Sequence, residues 1–368
     1  MLAPMLLGWR LCVRMMSELA LQRNLPDWVH ARQKFDVEWQ CENQRDRTPT
    51  WSLDIQDRLR ENETQRVKKA PEVTVTIPQI LPAQKEFATY RCLFPRRGKY
   101  VMGPSVASTS FPLGVIRGTF VLDSKAEIFV APALGKLVPS WDKQLRSEVQ
   151  GEQAQRRRRG IDQDDFYSLR EWRVGDSSRQ IHWRTSAKLG KPVIKQFDQN
   201  SDRDFALAVD LYSDGTETEG LENIERVLSC AATMLASLTH EVQGKVAVSI
   251  CGQEPILISD YYNRDLVSLV MQNLAIAQAG TENQLGEMIG QLVSKVSTDT
   301  PVLVLSTRPK PEPLEQLIKT NNPAVLRSVQ RLTVWVQAGT SEFNELFQMP
   351  NETAVKRVLQ SAVSEEEG

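Results

Sequence analysis

The hydrophobic pattern of this chain changes period near residue 200, and no single fold accommodates both halves. Before that point apolar residues alternate with polar ones. Phe35, Val37, Trp39 and Cys41 stand between Asp36, Glu38 and Gln40, and Trp51-Ser-Leu53-Asp-Ile55 and Val73-Thr-Val75-Thr-Ile77 repeat the pattern. A period of two gives a strand one buried and one wetted face. Turn-rich stretches at Asn43 to Thr50, Pro95 to Gly98, Gly103-Pro104 and Phe111 to Gly114 separate such strands, with no long helical period among them. Short strands at this spacing predict a β-sandwich over residues 20–134.

Beyond residue 200 the apolar runs are continuous: Phe205-Ala-Leu-Ala-Val-Asp210, Lys245-Val-Ala-Val-Ser-Ile250, Pro301-Val-Leu-Val-Leu-Ser306 and Leu332-Thr-Val-Trp-Val336. Strands of this kind are buried on both faces. Helical patterns at Leu221 to Glu241, Asp265 to Ala277, Gln284 to Val296 and around Pro313 to Lys319 fall between them. The alternation predicts a parallel sheet in a doubly wound α/β domain over 201–348, with a C-terminal helix and acidic tail at 349–368. The fold class is therefore α+β multidomain, and 368 residues suffice for two cores.

Several functions are excluded or disfavoured by what the chain lacks. Its 45 basic and 46 acidic residues leave a net charge of −1, so no global field draws it to nucleic acid. The cysteines at 12, 41, 92, 230 and 251 form no C-x-x-C pair, which argues against a zinc site or a disulfide framework and for a reducing compartment. Neither G-x-x-x-x-G-K-[ST] nor G-x-G-x-x-G occurs, so any ATP hydrolysis belongs to another protein. No run of 18 apolar residues is present. Met1 to Met16 is nevertheless apolar except for Arg10 and Arg14, without the basic start and small-residue cleavage site of a signal peptide. Residues 1–19 read as an interfacial amphipathic helix or the remnant of a membrane helix, with a plain soluble helix as the alternative.

Residues 135–200 carry the all-basic run Arg156 to Arg159, read as a solvated linker or an acid-docking strip, and then a block from Gly160 to Lys195 dense in Trp, Arg, Asp and Gly. Arg170, Arg173, Arg179 and Arg184 face Asp162, Asp164, Asp165, Glu171 and Asp176 in it, a composition suited to ion pairs and to guanidinium groups stacked on rings. Ser177 or Ser178 is placed to cap a helix from Arg179 to Leu189, which Gly190 ends in a left-handed turn before Pro192. The block is expected to clasp the two domains together. His182, between Ile181 and Trp183, reads as a packed, hydrogen-bonded imidazole, because no Ser or Cys nucleophile stands in a recognisable elbow near it. A competing reading makes Asp162, Asp164, Asp165 and Asp176 the metal ligands of a phosphoester hydrolase, but their spacing is not diagnostic.

Taken in order, Arg97-Gly98-Lys99-Tyr100, Gly103-Pro104, Phe111-Pro-Leu-Gly114, Asp165-Phe166, Leu169-Arg170-Glu171-Trp172, Gly175-Asp176, Arg179, Ile181-His182-Trp183 and Ser186-Ala187 resemble the bacterial domain of unknown function 58 family. The resemblance runs over roughly residues 20–340. It implies a pair of membrane helices, a β-rich domain, the signature block, and a C-terminal domain similar to von Willebrand factor A. It also implies a partner of MoxR-type AAA+ ATPases in assembling or remodelling a client protein; it establishes no enzymatic activity, and the chain is expected to be a non-enzymatic interaction module. Leu6-Leu7-Gly8-Trp9 sits where the second membrane helix of the family ends, so the first helix is expected to be missing from this chain. Membrane association with the main body in the cytoplasm follows as the expectation, and a soluble cytoplasmic protein as its alternative. Asp165, Phe166, Arg170, Glu171, Trp172, Gly175, Asp176, Arg179, His182, Trp183 and Ser186 are the signature and interaction residues.

Domains similar to von Willebrand factor A often hold Mg²⁺ in an Asp-x-Ser-x-Ser loop completed by a Thr and an Asp from later loops. The matching stretch here is Asp210-Leu-Tyr212-Ser213-Asp214, where Tyr212 and Asp214 replace the two serines. After β-forming Val302 to Leu305 the chain reads Ser306-Thr307-Arg308, with Arg308 bringing positive charge toward the ion. Asp210, Ser213, Asp214 and Thr307 thus make a degenerate site for which no cofactor is expected, with Mg²⁺-dependent docking as the alternative. Without a metal, Asp210 is expected to cap a helix or accept loop N–H groups.

Overall fold

The computed structural model describes residues 2–61, 72–112, 114–123, 125–139, 141, 168–172, 181–196, 204–213, 218–238, 244–297, 300–311 and 333–349. They form a mixed α/β chain in which strands dominate.

In the first half, β1 (Leu19–Asn24), β3 (Lys34–Asn43) and β6 (Lys85–Leu93) make a three-stranded antiparallel sheet in the order β1-β3-β6. A second sheet runs β2 (Trp28–His30), β10 (Ala126–Ala131), β7 (Gly98–Met102), β4 (Thr50–Glu61), β8 (Ser105–Thr109) and β9 (Gly118–Leu122), with β5 (Glu72–Ile80) also paired to β4. The strands expected at 35–41, 51–55 and 73–77 are all present and longer than their alternating cores. Val37, Trp39 and Cys41 of β3 are fully buried and meet Leu53 and Ile55 of β4, Tyr90 of β6, Met102 of β7 and Ile128 of β10 in one core between the sheets.

A charged cluster lies within this apolar core. Arg23 and Asp57 have side chains only 2% and 1% exposed, with one guanidinium nitrogen 2.6 Å and 2.8 Å from the two carboxylate oxygens. Tyr90 donates to Asp57 at 2.8 Å and Ser105 donates at 2.9 Å, while the other terminal nitrogen of Arg23 donates to the Met102 carbonyl. The guanidinium also lies 5.4 Å from the Trp39 ring. Both carboxylate oxygens are thereby satisfied, the condition under which a charge survives burial. Burial, reinforced by the Asp57 charge, pushes the Tyr90 phenol well above its ordinary range.

Helix α1 (Leu2–Met16) folds against β9 and the loop before it, burying Cys12 and Met15 and exposing Trp9 and Val13. Cys12 Sγ reaches the Phe111 carbonyl at 3.3 Å. Among the described residues no helix is long and apolar enough to cross a membrane.

The chain enters the second half through short contacts ahead of its main sheet. β11 (Lys136–Leu137) pairs with β19 (Phe347–Gln348), and Trp141 packs edge-on to Phe205 in the second core. Gly135, Lys136, Leu137 and Trp141 thus all contact the second half. In the signature block β12 (Ser168–Glu171) and β13 (Val193–Gln196) form an antiparallel hairpin that encloses α2 (Trp183–Leu189). The main sheet has the order β16-β15-β14-β17-β18, from β14 (Phe205–Asp210), β15 (Lys245–Cys251), β16 (Ile256–Tyr261), β17 (Val302–Ser306) and β18 (Thr333–Gln337).

Three of its four pairings are parallel as expected, and the fourth, at one edge, is not. β14, β15, β17 and β18 run parallel, but β16 turns back antiparallel on β15 and makes the sheet mixed. Only Ile258 of β16 is buried, so this edge strand lacks the continuous apolar run that marks the others. Leu207 and Val209 face α3 (Thr218–Ser237) and α4 (Arg264–Ile276) through Val227, Leu228, Met271 and Leu274. Ala206 and Ala208 face α5 (Leu285–Val293) through Leu285, Ile289 and Leu292, so helices cover both faces. A short α6 (Ser341–Leu346), capped by Thr340, precedes β19. The helix expected around Pro313 to Lys319 and the one within 349–368 lie outside the described residues.

The five cysteines are free and buried. At the junction of the halves, His30 Nδ1 lies 2.9 Å from the Pro132 carbonyl and its ring meets Trp28 edge-on. Burial lowers the His30 pKa, with the carbonyl contact partly opposing it. A folded-state value below the unfolded one means the unfolded chain binds the extra proton, so this contribution is full above about pH 6.5 and declines below it. The urea midpoint is expected to fall between pH 7.5 and 5.5 by less in His30→Gln than in wild type.

Candidate functional site

Parallel register brings the carboxyl ends of β14, β15 and β17 to one edge, the place where open α/β sheets present their loops. Asp210, the last residue of β14, is paired with Cys251 on one side and Ser306 on the other. Its carboxylate is 3% exposed. Ser306 Oγ donates to Oδ2 at 2.8 Å, and Arg308 Nε donates to the same oxygen at 2.8 Å. An Arg308 terminal nitrogen reaches Oδ1 at 3.4 Å and the Asn283 side-chain oxygen at 2.7 Å. The guanidinium lies 4.4 Å from the Tyr212 ring, a cation over an aromatic face.

The surrounding loops are fastened to this centre. Thr307 donates from its hydroxyl to the Tyr212 carbonyl at 2.6 Å and from its N–H to the Asp210 carbonyl at 3.3 Å. Trp335 Nε1 donates to the Arg308 carbonyl at 3.2 Å. Gly280 bridges to Tyr212, donating to Leu211 and accepting from Ser213. A Cβ at Gly280 would stand 2.6 Å from the Gly252 backbone, so this loop reaches the sheet edge only with glycine there.

Of the candidate ligands, Asp210 and Thr307 meet at this centre, Ser213 is held by Gly280 through its backbone, and Asp214 lies outside the described residues. Mg²⁺ requires a near-octahedral set of oxygens at about 2.0–2.1 Å. Here the Asp210 oxygens already receive a guanidinium and a hydroxyl, and the Thr307 hydroxyl is directed at a carbonyl. The residues present do not fit a divalent cation, because Arg308 puts a positive charge where one would sit. Asp210 accepts from side chains, in place of the expected loop N–H groups or helix cap. Burial, then the adjacent Asp210 charge, pushes the Cys251 thiol up to about 12, so it stays protonated at neutral pH and is a poor nucleophile. Asn283 was not legible as a partner of Arg308, since nothing local connects residues so far apart.

In the signature block, α2 begins at Trp183 with His182 as its N-cap, so the cap is not Ser177 or Ser178. His182 Nδ1 lies 2.7 Å from Thr185 Oγ1 and accepts from the Thr185 N–H at 3.3 Å. Gly190 ends the helix at φ 67°. Ser186 accepts from the Val193 N–H at 2.9 Å, and the His182 N–H donates to the Val193 carbonyl at 2.8 Å, tying the helix to β13. His182 is thus an architectural residue of the helix start. Trp183 is 70% exposed and Trp172 37% exposed, so neither ring is packed away. Asp165, Phe166, Gly175, Asp176 and Arg179 lie outside the described residues, as do the side chains of Arg170 and Glu171 and the acids of the hydrolase reading at 162 and 164.

No curated protein matches the chain. Among solved structures it is similar to the CARDB domain of a Pyrococcus furiosus protein, at 13% identity over 30% of this chain and 93% of that one, with a TM-score of 0.19. It is similar to the sporulation control protein Spo0M of Bacillus subtilis at 12% identity, covering 37% of this chain and 56% of that one, with a TM-score of 0.20. A superoxide reductase (neelaredoxin) variant of Ignicoccus hospitalis gives 16% identity over 31% and 82%, with a TM-score of 0.19. Likeness at these scores does not establish a shared fold. Residues 168–318 match the family model described as protein of unknown function DUF58.

Proposed function

We propose that this chain, a member of the domain of unknown function 58 family, is a non-enzymatic docking module whose binding edge is built around Arg308 and Asp210. The observation that carries this reading is the Arg308 guanidinium on the buried Asp210 carboxylate. A resident side-chain cation stabilises the loops at the sheet edge, leaving them shaped for a partner. The second half is read as a von Willebrand factor A-like domain, supported by its parallel strands, two helical layers and terminal carboxylate. The partner proposed is a MoxR-type AAA+ ATPase acting on a client protein. Helix α1, with Trp9 and Val13 outward and Arg10 and Arg14 exposed, supports association with a membrane surface.

The test is retention of the purified chain on an immobilised MoxR-type AAA+ ATPase. Asn283 is exposed and touches Arg308, so a bulky group there obstructs the edge without entering the core. Wild-type chain is expected to be retained, and Asn283→Trp to be retained at least about tenfold less while still folded by circular dichroism. Equal retention of the two would refute docking at this edge.

A further inference from the structure

β9 is the last strand of the second sheet in the first half, paired with β8 on one side and with no strand on the other among the described residues. Such an edge presents a row of unpaired N–H and C=O groups, and natural proteins blunt it with a charge, a proline or a bulge. Gly118-Thr-Phe-Val-Leu122 has none of these. Its register against β8 is unbroken from Gly118 to Leu122, and no side chain in it is charged. Thr119, Phe120 and Val121 are all exposed, Phe120 at 49% and Val121 at 61%. Phe120 stands opposite the buried Ala107 and Val121 opposite Val106, so the two rise from opposite faces of the sheet. What is open here is an edge and not a face. Helix α1 meets the strand at Gly118, where an added Cβ would stand 3.0 Å from that of Cys12, and leaves Thr119 to Val121 uncovered.

The charges flanking the strand select its occupant. Arg117 precedes it and Asp123 follows it, both exposed and neither in an ion pair or hydrogen bond among the described residues. When two copies of β9 lie antiparallel about a two-fold axis at Phe120, Thr119 of one copy faces Val121 of the other. Arg117 of one copy then faces Asp123 of the other, and symmetry makes this pair twice, once at each end. Moving the axis to Val121 would set Arg117 against Lys125, which is a repulsion. The strand is thus complementary to itself in a register centred on Phe120. A membrane surface would take side chains from one face, whereas Phe120 and Val121 point both ways.

We propose that β9 is a dimerisation edge, on which a second copy of this chain adds its own β9 antiparallel, with the axis at Phe120 and an Arg117–Asp123 pair at each end. One pairing satisfies both open edges and continues the sheet from one copy into the other.

Sedimentation equilibrium of the full chain across a roughly hundredfold range of concentration tests it. Wild type is expected to sediment as a dimer at the upper end of that range. Val121→Lys puts a charge on the apolar edge, and Arg117→Glu sets two acids opposite each other at both ends. Each is expected to weaken the dimer by about tenfold or more while still folded by circular dichroism. Arg117→Glu/Asp123→Arg restores opposite charges in the same register and is expected to return to within about threefold of wild type. That rescue separates pairing at Phe120 from association through any other surface. A wild type that stays monomeric, a dimer indifferent to both single variants, or a double variant as weak as Arg117→Glu would overturn the proposal. So would variants that lose binding to anionic vesicles and leave the association of copies unchanged, which would make the edge a lipid contact.

Discussion

Arg308→Ala is expected to lower the free energy of unfolding by about 3–5 kcal/mol, the usual cost of removing one partner from a buried pair. Asp210 is 3% exposed and Arg308 22%, so the loss strands a carboxylate that water reaches poorly. Ser306 alone then faces Oδ2, and Asn283 and Tyr212 lose the group they hold. Removing both charges is different, because an apolar pair of similar volume is often neutral or stabilising where an ion pair was buried. Asp210→Leu/Arg308→Met is accordingly expected to sit within about 1.5 kcal/mol of wild type, far from the sum of the single losses. Urea midpoints at constant m-value read the coupling. Additive single effects would show that the two side chains act independently.

Asp57→Ala is expected to cost at least as much, about 3–5 kcal/mol. Arg23 would remain 2% exposed with its countercharge gone, and the Tyr90 and Ser105 hydroxyls would lose their acceptor. Tyr90→Phe removes one hydrogen bond to a charged group and is expected to cost about 1.5–3 kcal/mol. That order, Asp57→Ala above Tyr90→Phe, follows from which change leaves a charge unmatched. With total stability near 5–15 kcal/mol, Asp57→Ala should melt the β-half well below wild type in a circular-dichroism scan. A loss under about 1 kcal/mol would mean that water enters the cluster.

Legibility in the sequence follows the range of the interactions. Alternation at Phe35 to Cys41 and continuous apolar runs at Phe205 and Pro301 report burial directly, so those strands could be placed. β16 is an edge strand with one buried residue, and β11 is two residues long, so neither writes a pattern. Asp210 was visible because a carboxylate closes an apolar run, and Arg308 because it stands where an acid was expected. Their contact with Asn283 was not, since it depends on how the loop through Gly280 crosses the edge. The Arg23–Asp57 cluster is hidden for a related reason: polar residues on β1 and β4 look like surface positions until the sheets close. In the signature block, Gly190 was read correctly as the helix end, whereas capping by His182 required knowing that Thr185 folds back onto its ring.

The claim that Arg308 stands where a cation would otherwise bind has a direct test in melting wild type and Arg308→Ala side by side as MgCl₂ is raised from zero to about 10 mM. Asp210, Ser306 and Asn283 offer oxygens once the guanidinium is gone, so Arg308→Ala is expected to gain about 2–4 °C for each kcal/mol of binding. The wild-type melting temperature is expected to stay flat throughout. A wild-type rise with Mg²⁺, matching or exceeding that of the variant, would contradict the claim.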